Sequence, residues 1–340
     1  MPSVLEALQW STAPLDVSSA PPGTITRVRS DNTVDMWSDW EDFTYDNIMA
    51  IYGNDLRSEY LGQREPTPLR KDLVVYDENS VESALRRFPF SVINSALDSM
   101  VTLREYAPYY THGSRCYCGG FIPDWSCVSD LEKKKKTGEY QSLVPGDTKP
   151  SHKWNPDMFE TKPDVWQMPL NQVATYIAYA RVRYGFIVTD REAVVLRFSR
   201  EATAAGVGTS LPQRLGRNVS FQLPSEPSVL SSESYGDSAS GWDFFVEYKA
   251  IPWCKYGQGT LTAKLALAVL AMMSLYGDNQ IAYRYPGLNT WRTATSEEGG
   301  GLKHNTSGHL LKGISQGIVI EEPTDSNNDS ESREDASMED

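Results

Sequence analysis

The stretch that most restricts the fold is LTAKLALAVLAMMSLYG, residues 261–277. Wound as a helix it is apolar on nearly every face, and a helix without a polar face must be covered on all sides. It is shorter than a bilayer requires and carries Lys264, so the covering has to be protein. That predicts a buried core helix over 260–276 and a domain large enough to surround it. With 340 residues, 40% of them apolar, the chain has material for one large domain or two ordinary ones.

Helix and strand periods alternate through the rest. SVESALRRF followed by PFSVINSALDSMVTLREY, from Ser80 to Tyr106, fits a helix interrupted near Pro89. Two strand-like runs, YCGGFIPDWSCV at 117–128 and EYQSLVPGDTK at 139–149, flank SDLEKKKKTG and read as a hairpin with a basic tip. NQVATYIAYARVR at 171–183 places Val173, Tyr176, Ile177 and Ala180 on one helix face. YGFIVT and AVVLRFS form a second hairpin around DRE, and WDFFVEYKAI at 242–251 alternates like a half-buried strand. The expected class is α/β, in the α+β sense of a mixed sheet with helices.

Boundaries follow from composition. Residues 1–34, rich in Pro, Ser and Thr, read as an extended arm, and 35–53, DMWSDWEDFTYDNIMAIYG, as a helix able to dock on a protein partner. Residues 54–73, broken by Pro66 and Pro68, read as a linker, which closes an N-terminal arm at 73. The main domain then spans 74–285, with a long loop at 225–241 and an irregular extension at 286–320. Residues 321–340 hold nine acids against Arg333 and account for −8 of the net charge of −13. So polar a tail is expected to be disordered, and the charge of the whole chain says little about the folded part. The N-terminus has neither the basic start nor the apolar run of a secretory signal, which predicts an intracellular protein of nucleus or cytoplasm with no membrane segment.

Two acids on adjacent strands can share a divalent cation, because hard ions such as Mg²⁺ take carboxylate oxygens and keep waters for substrate. Asp124 and Asp147 are candidates, since the hairpin between them would set them side by side. Lys149, two residues beyond Asp147, falls on the same face of an extended strand, where its ammonium would polarise a water or stabilise charge on a phosphate. The plainer reading of IPDWS and VPGDTK is two turns, since Pro-Asp and Pro-Gly-Asp form turns readily.

Pro123-Asp124 followed by Asp147-Thr148-Lys149 resembles the motif of the PD-(D/E)XK nuclease superfamily, whose members hydrolyse phosphodiester bonds with Mg²⁺. The resemblance covers about residues 78–200 and implies a core of helix, three strands, helix and strand. It also implies a glutamate from the first helix, matched by Glu82 or by Glu105, and a glutamine with an aromatic one turn later, matched by Gln172 and Tyr176. On that basis Asp124, Asp147 and Glu82 would ligate Mg²⁺ or Mn²⁺, while Lys149 and Gln172 would complete the catalytic set. PDW, PGDTK and RYGFIVTDREAVVLR also resemble a group of fungal proteins. Pro145, Gly146 and Pro150 depart from the motif's apolar strand and fit either a bent strand at a site or no strand. A descendant of this fold that has lost catalysis and serves as a binding or accessory protein is the second expectation.

Each residue has a plainer role beside the chemical one. Glu82 suits the solvated first turns of a helix, Gln172 a first turn, and Tyr176 a core. The seven arginines between Arg181 and Arg217, with Lys133 to Lys136 at the hairpin tip, would follow a nucleic-acid backbone or simply face water. His112, Cys116, Cys118 and Cys127 are zinc-type donors whose spacing matches no common finger, so zinc is not expected. No GxxxxGK[ST] occurs, which removes nucleotide-loop chemistry, and the four histidines, at 112, 152, 304 and 309, offer no partner for Ser-His hydrolysis.

Overall fold

The computed structural model describes residues 1–18, 20–21, 23, 30–100, 106–116, 118, 120–134, 137–200, 243–312 and 317–323. Glu105, Lys135, Lys136, Arg214, Arg217, the loop at 225–241 and most of the acidic tail lie outside them.

A seven-stranded mixed sheet organises the chain. Its strands are β1 (Thr33–Asp39), β2 (Tyr109–His112), β3 (Trp125–Val128), β4 (Val144–Thr148), β5 (Tyr184–Val188), β6 (Glu192–Arg200) and β7 (Asp243–Pro252), in the spatial order β1-β7-β6-β5-β4-β3-β2. Strands β2, β3 and β4 form an antiparallel meander, and β4 runs parallel to β5. That parallel step needs a crossover, which helix α5 (Pro163–Ala180) provides. The other helices are α1 (Val4–Leu8), α2 (Tyr45–Leu56), α3 (Glu78–Arg87), α4 (Pro89–Ser99) and α6 (Ala263–Tyr276).

The sheet separates two apolar layers. Phe186, Val188 and Val195 pack with α1, α2, α4 and α6, whereas Ile187, Val194, Leu196 and Phe198 pack with α5. The alternation along β5 and β6 is the period of two that a strand buried on both faces must show. Helix α6 is the covered helix expected: every residue from Ala263 to Ser274 is buried. Its one charge, Lys264, meets Glu65 at 3.0 Å, which ties the expected linker to the core.

Local chemistry sets the breaks. Asp77 and Ser80 form a capping box that starts α3, and Pro89 at the first position of α4 makes the restart after Phe88 inexpensive. Helix α5 begins eight residues before the apolar face that the sequence marks, with Pro163 in its first turn and Pro169 inside it. It ends at Ala180, followed by Arg181 in a left-handed conformation, so Val182 and Arg183 belong to the turn into β5.

Three expectations are corrected. The N-terminal arm is not extended throughout, because Val4, Ala7 and Leu8 of a capped helix are fully buried against α4 and α6. Residues 35–53 do not form one helix. The first part joins the sheet as β1, parallel to β7, and the helix starts at Tyr45, where the Thr44 side chain accepts from Asn47. The extension at 286–320 carries a second sheet of β8 (Trp291–Thr293), β9 (Leu302–His304) and β10 (Leu310–Leu311). The start of the acidic tail is fixed to it: Glu321 N donates to Trp291 O, and Glu322 accepts from Thr293 N at 2.8 Å.

Candidate functional site

Strand β4 carries the residues in question, in spite of its proline. Pro145 pairs with Ser126 of β3 but precedes the first rung with β5, which begins at Gly146 and Phe186, so the missing N–H falls outside that ladder. Gly146 lies under the Phe186 ring, and a Cβ there would collide with it. The strand therefore keeps a small residue where the aromatic crosses, and the next residue, Asp147, turns to the opposite face. Pro150 lies past the strand and accepts from Lys153 and Trp154 in a turn. Ser151 anchors that turn by donating through its N and its Oγ to Asp190, each at 2.6 Å.

Asp124 stands one residue before β3, beside the end of β4, and its Oδ2 accepts from Thr148 N at 2.9 Å. The hairpin thus brings the two acids together, as the spacing suggested. Trp125 locks the junction: its Nε1 donates to Thr148 Oγ1 at 2.7 Å and its ring stacks on Phe90. Asp147 is 0% exposed, and its close partners are the Lys149 ammonium and the Asp124 carboxyl. Lys149 Nζ lies 2.6 Å from Asp147 Oδ2 as an ion-pair contact, donates to Thr148 O at 3.0 Å, and sits 3.8 Å from Glu78 Oε1.

Burial pushes the Asp147 carboxyl up to about 8, the Lys149 ammonium pulls it down, and the Asp124 charge adds to the rise. On Lys149 burial lowers the ammonium, but the charges of Asp147 and Glu78 outweigh it and leave it raised. The two directions conflict, since the main support for the Lys149 ammonium is an ionised Asp147. The rise at Asp147 is the firmer of the two, because its cause is complete enclosure.

Glu82 is on α3 and pairs with Arg86 at 2.6 Å. Burial raises its carboxyl, the Arg86 charge opposes this, and the charge of Asp124 adds to the rise. Gln172 Nε2 donates to Tyr176 Oη at 2.6 Å, and Tyr176 Oη reaches Ile122 O in the loop before Asp124. Tyr176 is buried, and its phenol is raised by that burial and by the charge of Asp147. Glu78 and Arg86 escaped the sequence reading. Their signal was the helical spacing 78, 82, 86, which sets all three on one face of α3.

Among the described residues no group of three or more His, Cys, Asp or Glu side chains is arranged to hold a metal ion. The donors at β4 nevertheless suit a hard divalent cation: two adjacent carboxylates, one of them fully enclosed. The zinc-type donors differ, since Cys116, Cys118 and Cys127 are buried free thiols and burial pushes the Cys118 thiol up to about 12.

Two members of the arginine track turn inward. Arg183 is buried against Asp278 and Gln280 O, and Arg197 is buried in a two-pronged pair with Glu247 at 2.6 and 2.9 Å. These two charges are committed to pairs within the fold. Arg191 is 72% exposed, and Lys133 lies 5.2 Å over the Tyr140 ring. The segment expected to dock on a partner instead buries Trp40, Phe43, Ile48 and Tyr52 in its own core. No helix among the described residues is long and apolar enough to cross a membrane.

No family model, curated protein or solved structure matches the chain.

Proposed function

We propose that the chain is a metal-dependent phosphodiester hydrolase with a PD-(D/E)XK nuclease-like core, acting on nucleic acid. The observation that carries this reading is Asp147, fully buried, paired with the Lys149 ammonium at 2.6 Å and set beside Asp124. Enclosing two carboxylates with one ammonium is costly, and a cation shared by the acids accounts for their retention. The order of elements supports the reading too: helices α3 and α4, the β2-β3-β4 meander, α5, and β5 parallel to β4.

Asp124 and Asp147, with Glu82, are the residues that would hold Mg²⁺ or Mn²⁺. Such an ion supplies Lewis-acid polarisation of a phosphate oxygen. Lys149 orients the attacking water and offers its ammonium to the charge that builds on the phosphate. Gln172 acts through Tyr176, whose hydroxyl it holds against the Ile122 carbonyl, and so fixes the loop that carries Asp124. Arg191 and Lys133 are among the exposed cations that would meet a nucleic-acid backbone.

The test is cleavage. Purified protein nicks DNA or RNA in Mg²⁺ or Mn²⁺, and Asp147→Asn abolishes it; equal activity in that variant would sink the assignment. The alternative is a nuclease-fold binding or accessory protein without catalysis, of the kind expected in a fungal cell. It is favoured by the enclosure of Asp147 at 0% and of the Lys149 side chain at 5%. Calorimetry separates the two, because the accessory reading requires no Mg²⁺ or Mn²⁺ uptake.

A further inference from the structure

Glu78, Glu82 and Arg86 follow one another at intervals of four along α3 and share its face toward the acid pair. Glu78 reaches Lys149, Glu82 is held by Arg86 at 2.6 Å, and the Arg86 guanidinium lies 4.7 Å over the ring of Trp125, next in sequence to Asp124. Arg86 Nε is buried and has no hydrogen-bond partner among the described residues. A guanidinium offers five N–H donors, so this one carries unused capacity for an anion beside the site. Glu82 cannot serve Arg86 and a cation at Asp124 with the same geometry. When ionised, the four carboxylates Glu78, Glu82, Asp124 and Asp147 exceed the cations Lys149 and Arg86 by two charges, the charge of one divalent ion.

We propose that Arg86 is a latch on Glu82: it holds that carboxylate aside until a divalent cation at Asp124 and Asp147 draws it across, and the released guanidinium then binds a phosphodiester oxygen of the substrate. The latch rests on the metal-dependent reading above and adds to it a residue with two successive partners. The exchange replaces a bond to a singly charged, half-buried guanidinium with one to a doubly charged ion. It also delivers the substrate's phosphate contact only once the metal is in place. Arg86 acts first as a positioning residue, through Glu82, and touches substrate only after release.

The experiment is calorimetric titration of Mn²⁺ into the full chain for the wild type, Asp147→Asn, Glu82→Gln, Arg86→Gln, Arg86→Lys and the pair Glu82→Gln/Arg86→Gln. Losing the latch tightens Mn²⁺ binding by about tenfold in Arg86→Gln, the equivalent of about 1.4 kcal/mol, the scale of one charged hydrogen bond. Arg86→Lys, which keeps the charge, stays near the wild type, and the double variant shows no gain over Glu82→Gln. With Ca²⁺ bound, Arg86→Gln holds a phosphorothioate oligonucleotide more weakly than the wild type. Unchanged or weaker Mn²⁺ binding in Arg86→Gln, or a gain that persists in the double variant, overturns the latch. If Arg86→Gln does not fold, Glu82→Gln decides: its Mn²⁺ affinity must fall, and wild-type affinity there overturns the proposal. Uptake that is lost in Asp147→Asn without any gain in Arg86→Gln removes the latch alone. A wild type that takes up no Mn²⁺ removes the metal-dependent reading and the latch together.

Discussion

Asp147→Asn should make the metal-free protein more stable as pH rises, although it removes the residue on which the proposed chemistry depends. The carboxyl is carried from an ordinary 3.8 to about 8 by burial. An acid whose pKa is raised by folding binds its proton more tightly in the native state, so its contribution to stability is full below about 4 and is lost as pH climbs to about 8. Every tenfold gain in proton affinity is worth about 1.4 kcal/mol, so complete linkage would amount to roughly 6 kcal/mol. Relaxation and water entry around a buried charge reduce such penalties, and we expect about 2 kcal/mol to be visible by pH 8. Asparagine has the shape of the protonated acid and does not titrate, so the wild type and the variant should be closest at the lowest pH and diverge steadily toward pH 8. In a domain of this size that amounts to about 3–5 °C in Tm at pH 8. The assay is paired urea and thermal melts at pH 4.5, 6, 7 and 8, where acid effects elsewhere in the chain cancel in the difference. A variant several kcal/mol less stable at every pH would refute the reasoning, because it would make Asp147 a structural partner of Lys149 with its charge fully satisfied.

Glu192 is raised to about 7 by burial and by Asp157 and Asp190, against the pull of Arg191, so its contribution to stability is likewise lost as pH rises from about 4.5 to 7. Because the group is partly solvated, Glu192→Gln should add only about 1 kcal/mol at pH 8 and nothing at pH 4.5, read as Tm differences. Arg197→Met leaves Glu247 without its two-pronged partner and should cost about 3–5 kcal/mol in urea. It should leave nucleic-acid affinity of the folded protein unchanged, and a selective loss of that affinity would restore Arg197 to the surface track. Gly146→Ala drives a methyl into Phe186 and should cost about 2 kcal/mol or more, partly recovered by adding Phe186→Leu, as measured by denaturant midpoints.

What could be read from the sequence was whatever a local period determines. The α6 run, the β5–β6 hairpin and the break at Pro89 each follow from spacing or from one proline, and the structure has all three. The adjacency of Asp124 and Asp147 was also legible, because a hairpin fixes its own partners. What stayed hidden depends on distant chain. Residues 33–39 carry enough aromatic and aliphatic spacing to imitate a helix, and only β7, about 210 residues later, makes them a strand. Arg183 and Arg197 looked like part of a surface track because their partners, Asp278 and Glu247, arrive from segments no local window includes. Arg86 was missed for another reason: its role depends on Trp125 and Glu82 together, and a pairwise motif does not include a neighbour one turn away.

Gly146 and the two prolines of VPGDTKP explain why a strand that looks poor in sequence holds the candidate site. An ordinary apolar residue at 146 would displace Phe186, and the chain would then shift away from β5 and carry Asp147 out of its enclosed position. The small residue brings the backbone close under the aromatic. Pro145 sits just outside the β5 ladder, the strand ends at Thr148, and the turn at Pro150 follows directly after Lys149. Lys149 is nearly closed at 5%, while Glu78, Glu82 and Arg86 on α3 are 43%, 15% and 22% exposed, a gradient that runs outward from Asp147 to the helix surface. An ion or a phosphate approaching Asp147 along that gradient meets the α3 stripe first. The order in which Glu82 and Arg86 exchange partners is therefore the event that decides whether the enclosed carboxylate is reached.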